Sequence, residues 1–287
     1  GTASVNLNIL PASVLLAADN YNPEVGGVVV HLSGSITDYL GDPVRTPAAV
    51  SWSLILPDGS PAPSEMGHLD SLSMASDTNG TFKGVYISGT TTGEVLVVAD
   101  VAGIGSDTVE LNIHSGPPAS ILLDISPSTD TVGGLVPDTI SGCVVDAYGN
   151  SVEYTGVVNL WLAYDAAGDS VCFPCSYGSI EPTGVIPDST GCFTALFSPG
   201  VTSGLIWIHA LADSAHGVTS ITLMPQLARS ESLAVSLNHI RTCGNAPYQS
   251  EITSYVFDQF GNPVADLTPI IFAIDTFSYM DACTTWD

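Results

Sequence analysis

The sequence has very few basic residues. Only 4 Lys and Arg residues stand against 29 Asp and Glu residues, which gives a formal net charge of −25. A protein that follows a phosphate backbone needs a basic surface, so we expect no nucleic-acid binding. The same shortage disfavours adsorption to an anionic membrane leaflet. The sequence also lacks any run of about 18 apolar residues, so we expect no membrane insertion.

Helical periodicity is lacking as well. Charged residues make up only 11% of the 287 residues, and no long segment repeats its apolar residues at the helical spacing. Apolar residues instead alternate over short segments such as SVNLNIL, GVVVHLSGSITD and GEVLVVADV, which Gly, Pro, Asn or Asp residues bound. Short alternating segments with regular turn signals predict an all-β fold built from sandwiches.

An internal repeat of about 110 residues runs through the chain. Its clearest landmark is a strand followed by a turn, which reads ITDYLGDPV around Asp38, VVDAYGNSV around Asp146 and VFDQFGNPV around Asp258. A period of this length corresponds to one immunoglobulin-like sandwich. The sequence therefore predicts tandem immunoglobulin-like domains.

The repeat also predicts the domain boundaries. We expect a first domain over residues 1–115, a second over 116–226 and a partial third over 227–287. The linkers between them are short and contain proline, which favours a stiff rod over flexibly joined beads. The third segment holds about half of a sandwich, so we expect either a neighbour or further residues to complete it.

The repeated motifs resemble the bacterial immunoglobulin-like repeats of the invasin and intimin type. The D-x-x-G-N-x-V element begins at Asp146 and Asp258, and a D-[TS]-x-G element begins at Asp77 and Asp188. The first domain departs from the pattern, because Gly41-Asp42 replaces Gly-Asn. The resemblance implies an extracellular or cell-surface rod, stalk or adhesin, and it brings no catalytic residues.

The aspartates of these motifs have a structural interpretation. Asp and Asn side chains close Asx-type turns, and Gly supplies the positive φ that such turns need. Bound Ca²⁺ is the alternative, because hard cations prefer clustered oxygen ligands. The acidic residues stand singly and form no D-x-D-x-D loop, so we expect turns, with no metal site and no cofactor.

The cysteines predict disulfides. Four fall in the second domain and two in the third, and even counts of this kind suit an oxidising compartment. The six residues are Cys143, Cys172, Cys175, Cys192, Cys243 and Cys283.

Alternation of core and surface residues predicts how the cysteines pair. Cys143 and Cys192 both point outward on strands that neighbour each other in immunoglobulin-like sheets, which predicts a cross-strand bridge. Cys172–Cys175 would be a local bridge, and Cys243–Cys283 remains as the third pair. A zinc site beginning at the C-F-P-C segment is the alternative, but no second C-x-x-C segment is present.

Other chemical motifs are scarce. Asn79-Gly80-Thr81 forms an N-glycosylation sequon on an expected turn. The six histidines are dispersed, and those within strand patterns are expected to be ordinary strand residues. No nucleophile elbow or other catalytic signature occurs, so we expect no enzyme.

The leading functional hypothesis is a structural subunit of an extracellular rod or filament. Copies of the chain would assemble head to tail, with a strand from one copy completing the third domain of the next. The candidate interface residues are Val5, Leu7, Ile9, Tyr255, Phe257, Phe272 and Ile274. The alternative is a stalk segment of a cell-surface adhesin or ligand-binding protein, whose host or cell-surface ligand the sequence does not identify.

Overall fold

The computed structural model describes residues 13–236, 250–266 and 268–272. These residues form strands and one short 3₁₀ helix, Ser64–Met66, and no α-helix occurs among them. The all-β fold expected from the alternation is confirmed. The strands are β1 Ser13–Ala18, β2 Val29–Thr37, β3 Val50–Ile55, β4 Gly67–Asp70, β5 Thr81–Ser88, β6 Gly93–Val101, β7 Gly105–Ile113, β8 Ser120–Ser126, β9 Thr129–Thr131, β10 Asp138–Val145, β11 Val158–Ala163, β12 Gly178–Glu181, β13 Gly184–Val185, β14 Cys192–Pro199, β15 Gly204–Ala212, β16 Ala215–Met224, β17 Ser230–Val235 and β18 Ile252–Phe257.

The first sandwich consists of two sheets. One has the strand order β1-β2-β5-β4 and the other has the order β3-β6-β7, and the paired strands named in both are antiparallel. Alternate residues of both sheets point into one shared hydrophobic cluster, in which Leu32, Tyr86 and Val97 are fully buried. This alternation is why short period-2 segments of the sequence form strands here.

The second sandwich repeats this arrangement. Strands β12, β14, β10 and β8 form one layer, and strands β16, β15, β11 and β13 form the other. A single parallel pair, His216 with Ser120, joins the two layers into one continuous sheet. Its core is a separate hydrophobic cluster that contains no residue of the first sandwich. The boundaries at 115 and 226 stay predictions, although Met224 ends the last strand of this core.

A glycine opposite a phenylalanine recurs at the centre of both sandwiches. Gly34 pairs with Phe82 across β2 and β5, and Gly142 pairs with Phe193 across β10 and β14. A Cβ atom on either glycine would lie under 2.5 Å from the facing phenylalanine ring. The ring therefore fills the space that the missing side chain leaves, and only glycine fits opposite it.

The described part of the third segment is a two-stranded sheet. Strands β17 and β18 pair antiparallel, from Ser230 with Phe257 to Val235 with Ile252. All six residues of β17 are exposed, so no second layer covers this hairpin among the described residues. The expectation of a partial third sandwich stays a prediction. Among these same residues, the structure has no helix of the length and apolar character that crossing a membrane requires.

Candidate functional site: the domain junctions

The Asp-initiated turns are built by the aspartate side chain itself. In the turn that starts at Asp146, the carboxylate Oδ1 accepts the backbone N–H groups of Tyr148 and Asn150 at 2.8 and 2.9 Å. Asp38 and Asp258 accept the corresponding two N–H groups of their own turns. Each is therefore an Asx-type turn, which is the structural interpretation of the motif.

The second carboxylate oxygen holds the linker that enters the domain. Asp146 Oδ2 accepts the N–H of Gly116 at 3.0 Å, and Asp258 Oδ2 accepts the N–H of Gln226 at 3.1 Å. Both aspartates are only 2% exposed. One buried carboxylate thus fixes its own turn and the start of the chain segment that comes from the preceding domain.

The asparagine of the motif reaches across to the preceding domain. Asn150 Nδ2 donates to the carbonyl oxygen of Thr90 at 2.8 Å, and its Oδ1 faces the N–H of Thr92 at 3.4 Å. The same amide group also donates to Asp146 Oδ2 at 2.9 Å. Asn150 therefore links the turn of the second domain to the β5–β6 loop of the first.

The second junction repeats these contacts on different residues. Asn262 Nδ2 donates to the carbonyl oxygen of Val201 at 2.8 Å, and its Oδ1 accepts the N–H of Ser203 at 2.9 Å. Asn262 Nδ2 also donates to Asp258 Oδ2 at 2.9 Å. Two junctions about 110 residues apart thus use one hydrogen-bond pattern, which we call the asparagine clamp: the Asn side chain, its turn aspartate and the facing loop backbone.

An aromatic ring of each turn lies over a glycine of the preceding domain. A Cβ atom on Gly26 would lie 2.9 Å from the Tyr148 hydroxyl oxygen, and one on Gly133 would lie 2.7 Å from the Phe260 ring. Both glycines have positive φ, +100° and +68° respectively. A glycine is needed at each place because the backbone is left-handed and because the ring occupies the side-chain position.

Hydrogen bonds keep the junction carboxylates ionised. Burial alone would raise the pKa of Asp146, but the Asn150 side chain and the Gly116 N–H outweigh it and hold the pKa below its usual range. The pKa of Asp258 is lowered in the same way, against burial, by the Asn262 side chain and backbone and by the Gln226 N–H. Each clamp is therefore a charge-assisted network at neutral pH.

Sequence reasoning identified the turns but missed the clamp. It assigned Asp, Gly and Asn to the turn alone, whereas the structure also places Asn150 and Tyr148 against another domain. A signal was available in the third position of the turn. This position holds an aromatic residue, Tyr148 or Phe260, in two of the three copies, although a free turn has no need of one.

Two disulfides lie within the second domain. The structure joins Cys143 to Cys192 and Cys172 to Cys175, which are the two pairs expected from the sequence. The first pair lies directly opposite on β10 and β14, on the outer face of the layer. The zinc alternative for the C-F-P-C segment is therefore replaced by a bridge. Cys243 and Cys283 lie outside the described residues.

The remaining predicted sites lie partly outside the described residues. Asn79 is exposed on a turn held by Asp77, whose Oδ1 accepts the Asn79 N–H at 2.8 Å. Tyr255 and Phe272 are exposed and Phe257 is half-buried. The other interface candidates, Val5, Leu7, Ile9 and Ile274, lie outside the described residues. Glycosylation at Asn79 and the filament interface both stay predictions.

One of the strand histidines, His209 on β15, is buried against two other rings. His209 is fully buried, its Nδ1 lies 3.0 Å from His216 Nε2, and its Nε2 lies 3.0 Å from the Asp165 carbonyl oxygen. Trp161 stacks on the His209 ring at 5.1 Å between centroids. Burial first, and the neighbouring His209 second, lower the pKa of His216. In the described part of the chain, no group of three or more His, Cys, Asp or Glu side chains is placed to hold a metal.

Comparisons with known proteins agree with this architecture. No family model matches the chain. The chain is 27% identical over 289 aligned positions to the inverse autotransporter adhesin YeeJ of Escherichia coli, which covers 97% of this chain and 11% of that protein. The chain therefore spans about a tenth of the length of this relative.

A solved structure with a TM-score above 0.5 shows the same fold. The Escherichia coli adhesin FdeC superposes with a TM-score of 0.51 at 18% identity, over 93% of this chain and 79% of that one. Yersinia pseudotuberculosis InvD superposes with a TM-score of 0.48 at 18% identity, over 88% and 72%. The expected location outside the cell or at its surface is confirmed by the relationship to an adhesin. The resemblance seen in the turn motifs is confirmed too, because the chain is similar to bacterial adhesins of the invasin and intimin type.

Proposed function

We propose that this chain is a stiff spacer segment in the stalk of a cell-surface adhesin. The observation that carries the proposal is the asparagine clamp, which occurs with the same hydrogen bonds at both junctions. A linker that only connects domains would leave these side chains in water. The clamp instead fixes each domain on its predecessor through a buried, charge-assisted network, and a stalk needs this property to hold a binding region away from the cell.

Three kinds of contact oppose bending at each junction. The carboxylate of Asp146 holds the linker, the amide of Asn150 holds the β5–β6 loop, and the ring of Tyr148 covers Gly26. Two of these contacts lie on different parts of the preceding domain and the third lies on the linker, so a hinge motion breaks at least one of them. The ligand of such an adhesin would bind elsewhere in a longer protein, and we propose no enzymatic role for this segment.

Small-angle X-ray scattering of the full chain tests this function. We expect one elongated particle whose maximum dimension is the same at low and high salt. The double variant Asn150→Asp/Asn262→Asp removes the donor of each clamp, so its distance distribution should become broader and shift to shorter distances. The variant Asn79→Asp changes the same residue type on an exposed turn and serves as the matched control. A flexible wild-type chain, or identical wild-type and variant profiles, would contradict a stiff spacer.

A second candidate function is the filament subunit assembled by strand complementation. The observation that favours it is the hairpin of β17 and β18, where Leu233, Val235 and Tyr255 are exposed without a covering layer among the described residues. Exposed strand edges of this kind accept strands from other chains. Electron microscopy of purified chain would show ordered filaments, and deletion of residues 1–10 should abolish them if those residues donate the strand. If the particles stay monomeric at high concentration, the filament function is wrong.

A further inference from the structure

In the first domain, the segment that follows β1 runs parallel to the end of β7, the last strand of the domain. The N–H of Asn112 donates to the Tyr21 carbonyl oxygen at 2.9 Å. His114 then binds two residues of the same segment, because its N–H donates to the Pro23 carbonyl oxygen and its carbonyl oxygen accepts the Val25 N–H, both at 2.9 Å. The chain that enters this domain is thus bonded directly to the chain that leaves it.

The second domain repeats this contact as a regular parallel ladder. Its short strand β9 pairs with the end of β16, the last strand of the domain, over three residues. Below the ladder, the Thr222 N–H donates to the Ser128 carbonyl oxygen at 3.1 Å. Above it, the Val132 N–H donates to the Met224 carbonyl oxygen at 3.0 Å. We call each contact a parallel patch, formed by residues 21–25 with 112–114 in the first domain and by residues 128–132 with 222–224 in the second.

The strand directions determine how tension along the chain acts on a parallel patch. Tension draws the entering segment toward the preceding domain and the last strand toward the following domain. Because the two segments run in the same direction, these opposite pulls slide them past each other. The hydrogen bonds between them lie across the pulling direction and share the force, so they must break together. Two strands that are pulled apart from one common end would instead separate pair by pair.

Each parallel patch ends where the next domain docks. Gly26 directly follows the first patch and lies under the Tyr148 ring, and Gly133 directly follows the second patch and lies under the Phe260 ring. The asparagine clamps therefore fix each following domain beside the patch of its predecessor. Tension that leaves one patch passes through a short linker and enters the next domain without loading a free loop.

We propose that the two parallel patches carry the tension of a stalk and give the first and second domains their resistance to forced unfolding. The proposal rests on the spacer function, because a stalk is pulled lengthwise when its far end is held and its base is anchored. The rate of forced unfolding depends on the unfolding barrier. Breaking several hydrogen bonds at once raises this barrier, whereas breaking them singly does not.

The Cys143–Cys192 disulfide provides a length marker for testing the proposal. The bridge closes a loop of 49 residues between β10 and β14, and neither of these strands pairs with β16. When the patch breaks, the bridge keeps this loop out of the extended chain. Opening the second domain should therefore release about 170 Å less than the same event without the bridge. The length of each step then identifies the domain that has opened.

The experiment pulls single molecules of the full chain with optical tweezers, first between handles at the two chain ends. The second handle is then moved to an azide-bearing residue in place of Ser214, in the exposed turn between β15 and β16. This turn lies at the end of the second domain where the chain enters, because His216 pairs with Ser120. The new position separates β8 and β16 from one common end and no longer slides the patch.

With handles at the chain ends, we expect the first and second domains to open in single steps at similar forces. With the handle at residue 214, the second domain should open at a several-fold lower force. The first domain is pulled across its patch in both arrangements and serves as the reference within the same molecule. Its opening force should not change.

The double variant Cys143→Ser/Cys192→Thr is the matched control for the location of the resistance. The bridge acts mainly on the unfolded chain and lies outside the patch. The variant should therefore open its second domain at the wild-type force, with a step about 170 Å longer. The comparison of handle positions uses the wild-type disulfides, so it decides the question even if this variant unfolds.

Three results would overturn the proposal. The first is an equal opening force of the second domain from both handle positions, and the second is a wild-type chain whose domains open in many small steps. The third is an opening force that falls when the bridge is removed, which would place the resistance at β10 and β14. If the patches fail while X-ray scattering shows a stiff chain, the spacer function survives and only this proposal is wrong. If they resist tension in a chain that scattering shows to be flexible, the spacer function is wrong instead.

Discussion

The first and second domains share one fold, and three of the equivalent places at which they differ are informative. Ser35 and Thr81 face each other in the first domain where the disulfide Cys143–Cys192 bridges the second. Val30 stands where the second domain has Asp138. The sequence Leu40-Gly41-Asp42 stands where the second domain has Tyr148-Gly149-Asn150. The shared fold follows from alternation and turn chemistry, while the differences concern cross-links and contacts with other domains.

The turns show this separation most clearly. Asp38 makes the same two turn hydrogen bonds as Asp146 although Asp42 replaces the clamp asparagine, so the turn forms without the clamp. Leu40 is nevertheless 68% exposed, and Asp42 has a carboxylate that cannot donate as the Asn150 amide does. The side chains of Tyr148 and Asn150 therefore make the turn of the second domain a docking surface for the first domain.

The largest difference in stability between the two domains should come from the Cys143–Cys192 disulfide. The double variant Cys143→Ser/Cys192→Thr gives the second domain the pair that the first domain has. Since the bridge closes a loop of 49 residues, its loss should lower the free energy of unfolding of the second domain by roughly 4 kcal/mol in the chain-entropy view. Denaturant unfolding with probes in each domain measures this, and the first domain should keep its midpoint. Equal stability of the variant and the wild type would show that the bridge adds nothing here.

The next largest effect on stability should distinguish the buried turn aspartate Asp146 from the more exposed Asp38. Asp146→Ala leaves the N–H of Gly116 and the amide of Asn150 without their acceptor, so the second domain should lose about 3 kcal/mol. Asp38→Ala removes only two turn hydrogen bonds at a more exposed position and should cost about 1 kcal/mol in the first domain. Urea unfolding of both variants gives the comparison, and equal losses would contradict a junction role for Asp146.

The pH dependence checks the same carboxylate. Because hydrogen bonding holds the folded-state pKa of Asp146 below its usual value, its contribution to stability is fully present above the unfolded pKa of about 4. The contribution is lost as the pH falls through the lower, folded-state pKa. Asp146→Asn should therefore flatten the loss of second-domain stability in acid. An unchanged acid profile in this variant would mean that other carboxylates control it.

A smaller effect follows from exchanging the clamp residue between the two turns. Asn150→Asp removes the donor to the Thr90 carbonyl oxygen and places a second negative charge beside Asp146, at a cost of about 1–2 kcal/mol in the second domain. The reciprocal Asp42→Asn lies on an exposed turn and should stay within about 0.5 kcal/mol of the wild type. Thermal unfolding of the two variants measures the two stability changes. Changes of equal size would contradict a special role for Asn150.

The smallest predicted effect isolates the aromatic contact. Gly26 and Gly27 have positive φ values of +100° and +86°, so an alanine strains the backbone similarly at either position. Only at Gly26 does the added Cβ atom meet Tyr148, while nothing lies within 4 Å at Gly27. Gly26→Ala should therefore cost about 1 kcal/mol more than Gly27→Ala. The excess should vanish in a Tyr148→Ala background, and an excess that persists there would assign it to the backbone instead.

Much of the fold was accessible from the sequence because local chemistry specifies it. Alternation identified the strands and the outward-facing pair Cys143 and Cys192, and the turn signals identified Asp38, Asp146 and Asp258. The clamp could not be predicted from the sequence, because Asn150 binds the backbone carbonyl oxygen of Thr90, 60 residues away. Every residue has a backbone carbonyl group, so the sequence does not show which one is bound. Asp138 could have been noticed, since it stands in the row of alternate residues of β10 that also holds Ile140, Gly142 and Val144 and is buried.

The measurement that tests the asparagine clamp most directly is the relative orientation of the first and second domains in solution. Residual dipolar couplings of backbone amides in the full chain report the alignment tensor of each domain separately. The clamp predicts that one tensor fits both domains of the wild type. It also predicts that Tyr148→Ala/Asn150→Asp gives two tensors of different magnitude while both folds persist. Two different tensors in the wild type, or a single shared tensor in this variant, would contradict the conclusion that these side chains hold the domains in line.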